Sequence, residues 1–435
     1  MPRARAQEKS PGAGTVSRAG ALSQRSIILC IIQTALSNLA IPRHPETRVN
    51  LNLAHHPRTR KCAHQSSRAA AATLATLLVC AQLSCGGGSS NSGGGGTPQR
   101  TFTTIDVEGA GAATGQGTYI EAINDAGDVA GYFMDSNSLT HGFVRSAAGV
   151  ITTFDVPASN GESTVAQGID SAGDVVGDYN APNTGAHSFI RTADGTITTF
   201  DPTFGGNSAA LSINDSGVIT GAILGPVTGS GYLYTLNGTF TSFDPTGNAA
   251  QVLSVFPDRI NASGAIAGDY VDLGGVYHGF TRDAAGTITI LDAPGAGTAA
   301  QEGTEIDDLN ASGTVVGGIS VGLVGGVNAT HSVMHTADGT YTVFDPPQAA
   351  GVSSFAYGIN DSGTIIGTYR GTDLIRHAYL LQPNGTYVSF DDPLAQQGPL
   401  TTDDIGTVPR RINANGAVAG FYSDANGARH GFIWQ

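Results

Sequence analysis

The sequence predicts an all-β fold, a seven-bladed β-propeller with four strands per blade, its last blade closed by a strand from the front of the chain. Three observations predict it. A unit recurs seven times from Thr101 onward; spacing inside the unit is constant where a tight hairpin is needed and variable where a loop is allowed; and each chain end lacks what the other supplies.

Four marks align the units. The first is an apolar residue before Asp: Ile105-Asp106, Phe154-Asp155, Phe200-Asp201, Phe243-Asp244, Leu291-Asp292, Phe344-Asp345 and Phe390-Asp391. The second is Asn (Asp170 in the second unit) followed three positions later by Gly, as in Asn124 to Gly127 and Asn360 to Gly363. The third is a Gly seven positions after that Asn: Gly131, Gly177, Gly221, Gly268, Gly317, Gly367 and Gly420. The fourth is a His-small-aromatic triplet starting at His141, His187, His278, His331, His377 and His430, with Val333 in the aromatic place of the fifth unit and Ser230 replacing His in the third.

The Asn-to-Gly distance is seven in every unit, and the His-to-Asp distance is fourteen wherever it can be measured, so both spans read as hairpins. The Asp-to-Asn gap runs from 13 to 22, and the Gly-to-His gap is nine or ten except for fourteen in the fifth unit; these read as loops. Each unit then holds four strands. The first ends at Ile-Asn, and a type I turn ending in a left-handed Gly leads to a second strand such as Thr364–Tyr369. The third is His-Gly-Phe-Val-Arg, and the fourth Thr-Ile-Thr-Thr-Phe-Asp. The region opens with an unpartnered fourth strand, Phe102–Val107, and stops at a third, His430–Trp434. A ring pairs these ends and leaves no free edge; a β-helix or solenoid, the alternative, would leave both.

The front of the chain differs in kind. Residues 1–85 carry eleven Lys or Arg against two acids, whereas the remainder has ten Arg, no Lys and 33 acids, a net of −23. Such a surface repels phosphate backbones, so nucleic acid is not expected as a partner. All four Cys precede Gly86, which removes disulfides, thiol nucleophiles and Cys-based zinc sites from the repeats. Residues 61–85 read as a signal peptide: Ala69–Leu83 is apolar, follows Arg60, Lys61 and Arg68, and is too short for a bilayer core that needs about 20 residues. Its end resembles a lipobox with Cys85 as the acylated residue, although Gln82 stands where Leu is usual and Leu83 comes one place late. Lipid attachment at Cys85 and ordinary signal cleavage nearby both stay open. Residues 86–100 are a Gly/Ser-rich linker, and residues 1–60 are expected to be disordered or to precede the true start. Export to the outer membrane as a lipoprotein, to the periplasm or to the exterior follows, with membrane contact only through a lipid anchor.

The Ile-Asn…Gly pattern before His377-Ala378-Tyr379 and His430-Gly431-Phe432-Ile433-Trp434 resembles the HAF repeat of extracellular bacterial repeat proteins, over residues 101–435. Most units have Gly or Ser where that family has Ala. The resemblance implies export and repetition and carries no activity with it.

The six histidines could titrate or ligate metals, but a group needed once per blade is a packing group. They are expected to bond within or between blades, with the repeated Asp155, Asp201, Asp244, Asp292, Asp345 and Asp391 as partners. No catalytic, cofactor or metal residues are assigned. Calcium is the alternative use of acids such as Asp170, Asp174 and Asp178, against which stands the lack of the Asp-x-Asp-x-Asp-Gly alternation. The one Gly-x-Ser-x-Gly, around Ser320, lacks the strand-turn-helix setting of a nucleophile. The varying loops, longest over Leu394–Arg411, Gly295–Asp308 and Ile319–Thr330, are expected to form the ligand face. Arg259, Arg410 and Arg411, near the starts of inner strands, would hold a carboxylate there or neutralise neighbouring acids. Function is expected to be that of a monomeric, non-enzymatic binding module for a glycan or protein; the alternative is a propeller hydrolase or lyase acting on a polysaccharide.

Overall fold

The computed structural model describes residues 100–435 apart from 203–206, 226–228, 325–326, 350–352, 374 and 397–405. The signal peptide, Cys85 and most of the linker lie outside the described residues. The described chain is all-β. The second unit shows the plan: Thr164–Ile169, Val175–Ala181, Gly185–Arg191 and Ile197–Phe200 pair antiparallel in sequence order. The same four-strand meander recurs in every unit. Three meanders are separate sheets, and the others join in twos into eight-stranded sheets through single parallel residue pairs, Tyr277 with Gly303 and Gly117 with Arg429.

Turn chemistry makes the first hairpin. In each unit the Asn carbonyl accepts from the Gly three residues on, and that Gly takes a left-handed conformation, from φ 72° at Gly217 to 89° at Gly127. The fourth strands are four residues long and Thr-rich, such as Ile197–Phe200, which leaves little outer edge to template another chain.

Side chains alternating on the two faces of a sheet fill the layers between successive units. Val129 and Phe143 of the first unit pack with Ala419 and Ile433 of the seventh, while Ala122 and Ala130 pack with Ala166 and Phe189 of the second. Burying a ring such as Phe189 contributes about 2–3 kcal/mol.

The ends of the described chain meet. Phe102–Ile105 is antiparallel to Arg429–Trp434, with Phe102 opposite Trp434 and Ile105 opposite Gly431. The seventh unit thereby gains its fourth strand. A second chain of bonds runs around the hairpin turns: Asn124 Nδ2 donates to the Asp170 carbonyl (3.0 Å), Asn214 to Asn261 (3.0 Å), Asn261 to Asn310 (3.1 Å) and Asn310 to Asn360 (3.3 Å). Asn360 then donates to Asn413 (3.2 Å), and Asn413 returns to the carbonyl of Asn124 (3.0 Å). One step differs because the Asp170 carboxylate has no donor; what remains there is the bond from Ser171 N–H to Asp215 Oδ1 (2.9 Å), which other turns make in addition to the Asn link.

Candidate functional site

Every first strand breaks register at a common place: Ile120/Ala122, Ala166/Gly168, Ala210/Ser212, Phe256/Arg259, Ile306/Asp308, Ala356/Gly358 and Pro409/Arg411, with a further break at Val252/Ser254 in the fourth unit. The bulge leaves an unpaired residue between two that pair, or two in the fourth unit, Pro257 and Asp258. Ile120 packs toward the seventh unit and Ala122 toward the second, so Glu121 between them belongs to neither layer. Here the repeat stops repeating, for the bulged residues are Glu121, Gln167, Leu211, Asp258, Asp307, Tyr357 and Arg410. The seventh-position Gly permits the bulge. A Cβ on Gly131 would collide with the Tyr119 carbonyl, and one on Gly420 with that of Val408; the other five units repeat the clash two residues ahead of each bulge.

Charged bulge residues meet one another. Arg410 donates through Nε (3.0 Å) and Nη2 (2.8 Å) to Glu121 Oε2, and its guanidinium lies 5.6 Å over the Tyr357 ring. Burial lowers the Arg410 pKa, but Glu121 and then Asp307 outweigh it and hold the cation firmly charged. Tyr357 also accepts at its hydroxyl from Arg376 Nη1 (3.2 Å) and at its carbonyl from Arg411 Nη1 (3.0 Å). Nearer the turns, Arg259 Nε lies 3.7 Å from Asp308 Oδ1. Burial pushes the Asp308 carboxyl up to about 6 against the pull of Arg259, and its oxygens accept from the Leu309 and Ile359 N–H groups. Burial likewise takes Asp178 to about 6, opposed by the Gln167 amide at 3.0 Å.

At the other end of the strands each triplet histidine points Nδ1 at an Asp fourteen residues on: His141 to Asp155 (2.9 Å), His187 to Asp201 (2.7 Å), His278 to Asp292 (2.8 Å), His331 to Asp345 (2.8 Å) and His377 to Asp391 (2.7 Å). His430 closes the series on Asp106 from the N-terminal strand (2.6 Å). The histidine rings are half-buried rather than sunk in the layer with Phe143, and five of them lie on a second-strand ring, such as Phe133 at 4.9 Å and Tyr422 at 5.0 Å. Asp244, whose unit has Ser230 for His, accepts instead from Thr246 N–H (2.8 Å).

The arginines sit elsewhere than expected. Arg259 is the last residue but one of Val252–Ile260, and Arg410 and Arg411 lie within Thr407–Ile412, toward the turn end and away from the varying connections. The foreseen loops are shorter for the same reason. Gly303–Leu309 and Thr407–Ile412 begin inside them, and Ile319–Thr330 is mostly a long hairpin of Val315–Val324 and Val327–His335. First strands carry charge, Gly and Pro and lose the alternation that marks a strand. Ser320 is a buried strand residue opposite Thr330. Asp170 and Asp174 are spent on turns, Asp170 Oδ1 accepting from Ala172 and Asp174 N–H and Asp174 Oδ1 from Ala193 N–H. Among the described residues no group of three His, Cys, Asp or Glu could hold a metal ion. Glu121, Tyr357 and Asp308 escaped the sequence reading; the one signal for the first two was their shared place three residues before the turn Asn, and Asp308, two before Asn310, had none.

No family model and no curated protein matches the chain. Among solved structures it is similar to a streptogramin B lyase, at 13% identity and TM-score 0.49 over 77% of this chain and 98% of that one. A polysaccharide lyase of the PL25 ulvan lyase family matches at 15% identity and TM-score 0.44 over 75% and 95%. The lectin BP39L of Burkholderia pseudomallei matches at 10% identity and TM-score 0.42 over 69% and 93%.

Proposed function

We propose that the chain is an exported HAF-type repeat protein, anchored through Cys85, whose repeats form a seven-bladed β-propeller that binds a glycan or protein ligand without turning it over. The seven meanders and the return of the Asn bonds from Asn413 to Asn124 support the ring. The observation that carries the binding reading is the way charge is used. Six histidines are tied to repeated aspartates and Arg410 is tied to Glu121, so these groups brace the frame. The connections that differ between units, from second to third strand and from fourth to first, share one end, where a rigid frame presents variable surface.

A glycan array and a pull-down with the full chain test this. Saturable capture of one glycan or one protein, with the ligand recovered intact, is the expected result. Release of reducing ends or of an unsaturated sugar product from a polysaccharide panel would replace it with the hydrolase or lyase reading. Anchoring has its own test: a fatty-acid label should enter the wild-type protein in cells and be lost in Cys85→Ala.

A further inference from the structure

At the hairpin-turn ends of the first strands lies a cavity of about 250 Å³ lined by Arg259, Asp308, Asn360, Arg411 and Asn413, with Asp125 and Asp361 at the exposed turns. Its two guanidinium groups differ from that of Arg410. Arg410 spends two donors on Glu121, whereas Arg411 gives Nη1 to the carbonyls of Tyr357 (3.0 Å) and Arg410 (2.8 Å), and its buried Nε has no partner among the described residues. Arg259 faces Asp308 at 3.7 Å, beyond hydrogen-bond reach, because that carboxylate is already turned to two backbone N–H groups. Burial lowers the Arg259 pKa, as it does for a cation that its surroundings do not fully compensate.

We propose that this cavity binds a small monocarboxylate, its two oxygens received by the spare donors of Arg411 and Arg259. A carboxylate matches the planar guanidinium fork, and an N⁺–H···O⁻ bond inside a walled cavity is stronger than one in water. The volume admits a ligand of a few heavy atoms, below the usual range for drug-sized ligands. Asp125 and Asp361 set the charge limit. Their Oδ1 atoms accept from Ala414 N–H (2.8 Å) and Ala311 N–H (2.8 Å), which fixes two negative charges at the entrance against polyanions. The site sits at the opposite end of the strands from the varying connections and stands independently of the ligand proposed there.

The full chain titrated calorimetrically with propionate, its neutral isostere propionamide, and citrate tests the site. Propionate is expected to bind saturably, at least about tenfold more tightly than propionamide or citrate, and about tenfold more weakly in Arg411→Gln. An absence of saturable propionate binding, a preference for citrate, or unchanged binding in a folded Arg411→Gln would each overturn the proposal. Should Arg411→Gln not fold, the wild-type contrast between propionate and propionamide decides alone.

Discussion

His377 stands between two carboxylates, Asp391 at Nδ1 (2.7 Å) and Asp373 at Nε2 (3.1 Å), and its pKa is raised, first by the Asp391 hydrogen bond, against burial. The folded state therefore favours the charged ring. Its stabilisation is complete below the unfolded pKa of about 6.5 and is lost as pH rises through the folded value. The pair is partly exposed and screened, so His377→Gln should cost less than about 1 kcal/mol at pH 5.5 and nearly nothing at pH 8.5. Melting curves across that range check it; a cost independent of pH would contradict it. Asp178 has the same sign by another route. Burial raises its carboxyl to about 6, so the ionised form strains the fold and stability falls as pH climbs from about 4 to 6. Asp178→Asn keeps an oxygen for the Gln167 amide and removes the charge; it should stabilise the protein by about 2 kcal/mol at pH 8 and leave it unchanged at pH 3.5. At this scale sequence reading named five of the six His–Asp pairs, because a fixed fourteen-residue offset across one hairpin forces their meeting; it offered Asp244, whose unit has Ser230 in place of His, and not Asp106, which meets His430 between the chain ends. It could not see Asp178 as strained, since its burial depends on neighbours far away in the chain.

Each first strand joins a bulge to a capped turn, and the two devices divide the work. The turn Asn accepts from its own hairpin through Oδ1 and donates to the next unit through Nδ2: Asn310 accepts from Thr314 N–H (3.0 Å) and donates to the Asn360 carbonyl (3.3 Å). An Asp can do only the first. Asp170 accepts from Asp174 N–H (2.8 Å), leaves the Asn214 carbonyl without the donor that every other turn supplies, and has its pKa raised by burial. Asp170→Asn should therefore complete the series and raise stability by about 1 kcal/mol, whereas Asn413→Ala should lose about 1–3 kcal/mol, because its side chain gives up both the bond to the Asn124 carbonyl and the one it accepts from Ala417 N–H. Thermal melts of the two variants decide it, and a destabilised Asp170→Asn would show that the ring bonds contribute nothing. The Asn and both glycines were legible because their spacing never varies. The bulge was not: it is a relation between Gly420 and a carbonyl across the hairpin, and it allows any side chain at the unpaired place, from Leu211 to Arg410.

Closure would distinguish a ring of units from a row, and the strand Phe102–Ile105 ties the two ends of the described chain together. Phe102 packs against Phe432 (5.4 Å), Trp434 (6.1 Å) and the sixth unit's Phe390 (6.2 Å), while Phe390 itself stacks on Trp434 at 4.0 Å. Asp106 supplies the partner of His430, and Arg100 crosses to the Gly416 carbonyl (2.7 Å). The sequence made this legible through its two incomplete ends; the aromatic stack that secures them was not, since the sixth unit's share depends on how neighbouring sheets face each other. A row of units would fray at its first strand and keep the rest. In a ring the same lesion reaches units at both ends of the chain, because the first and seventh share one boundary. Phe102→Ala should therefore cost about 3 kcal/mol in a single cooperative transition. It should also lower amide-exchange protection in Thr118–Ile123 and Val418–Ser423 together, although the two segments lie some 300 residues apart. Loss of protection confined to residues 100–106, with the main transition unmoved, would mean that the terminal strand decorates an already stable array instead of locking it.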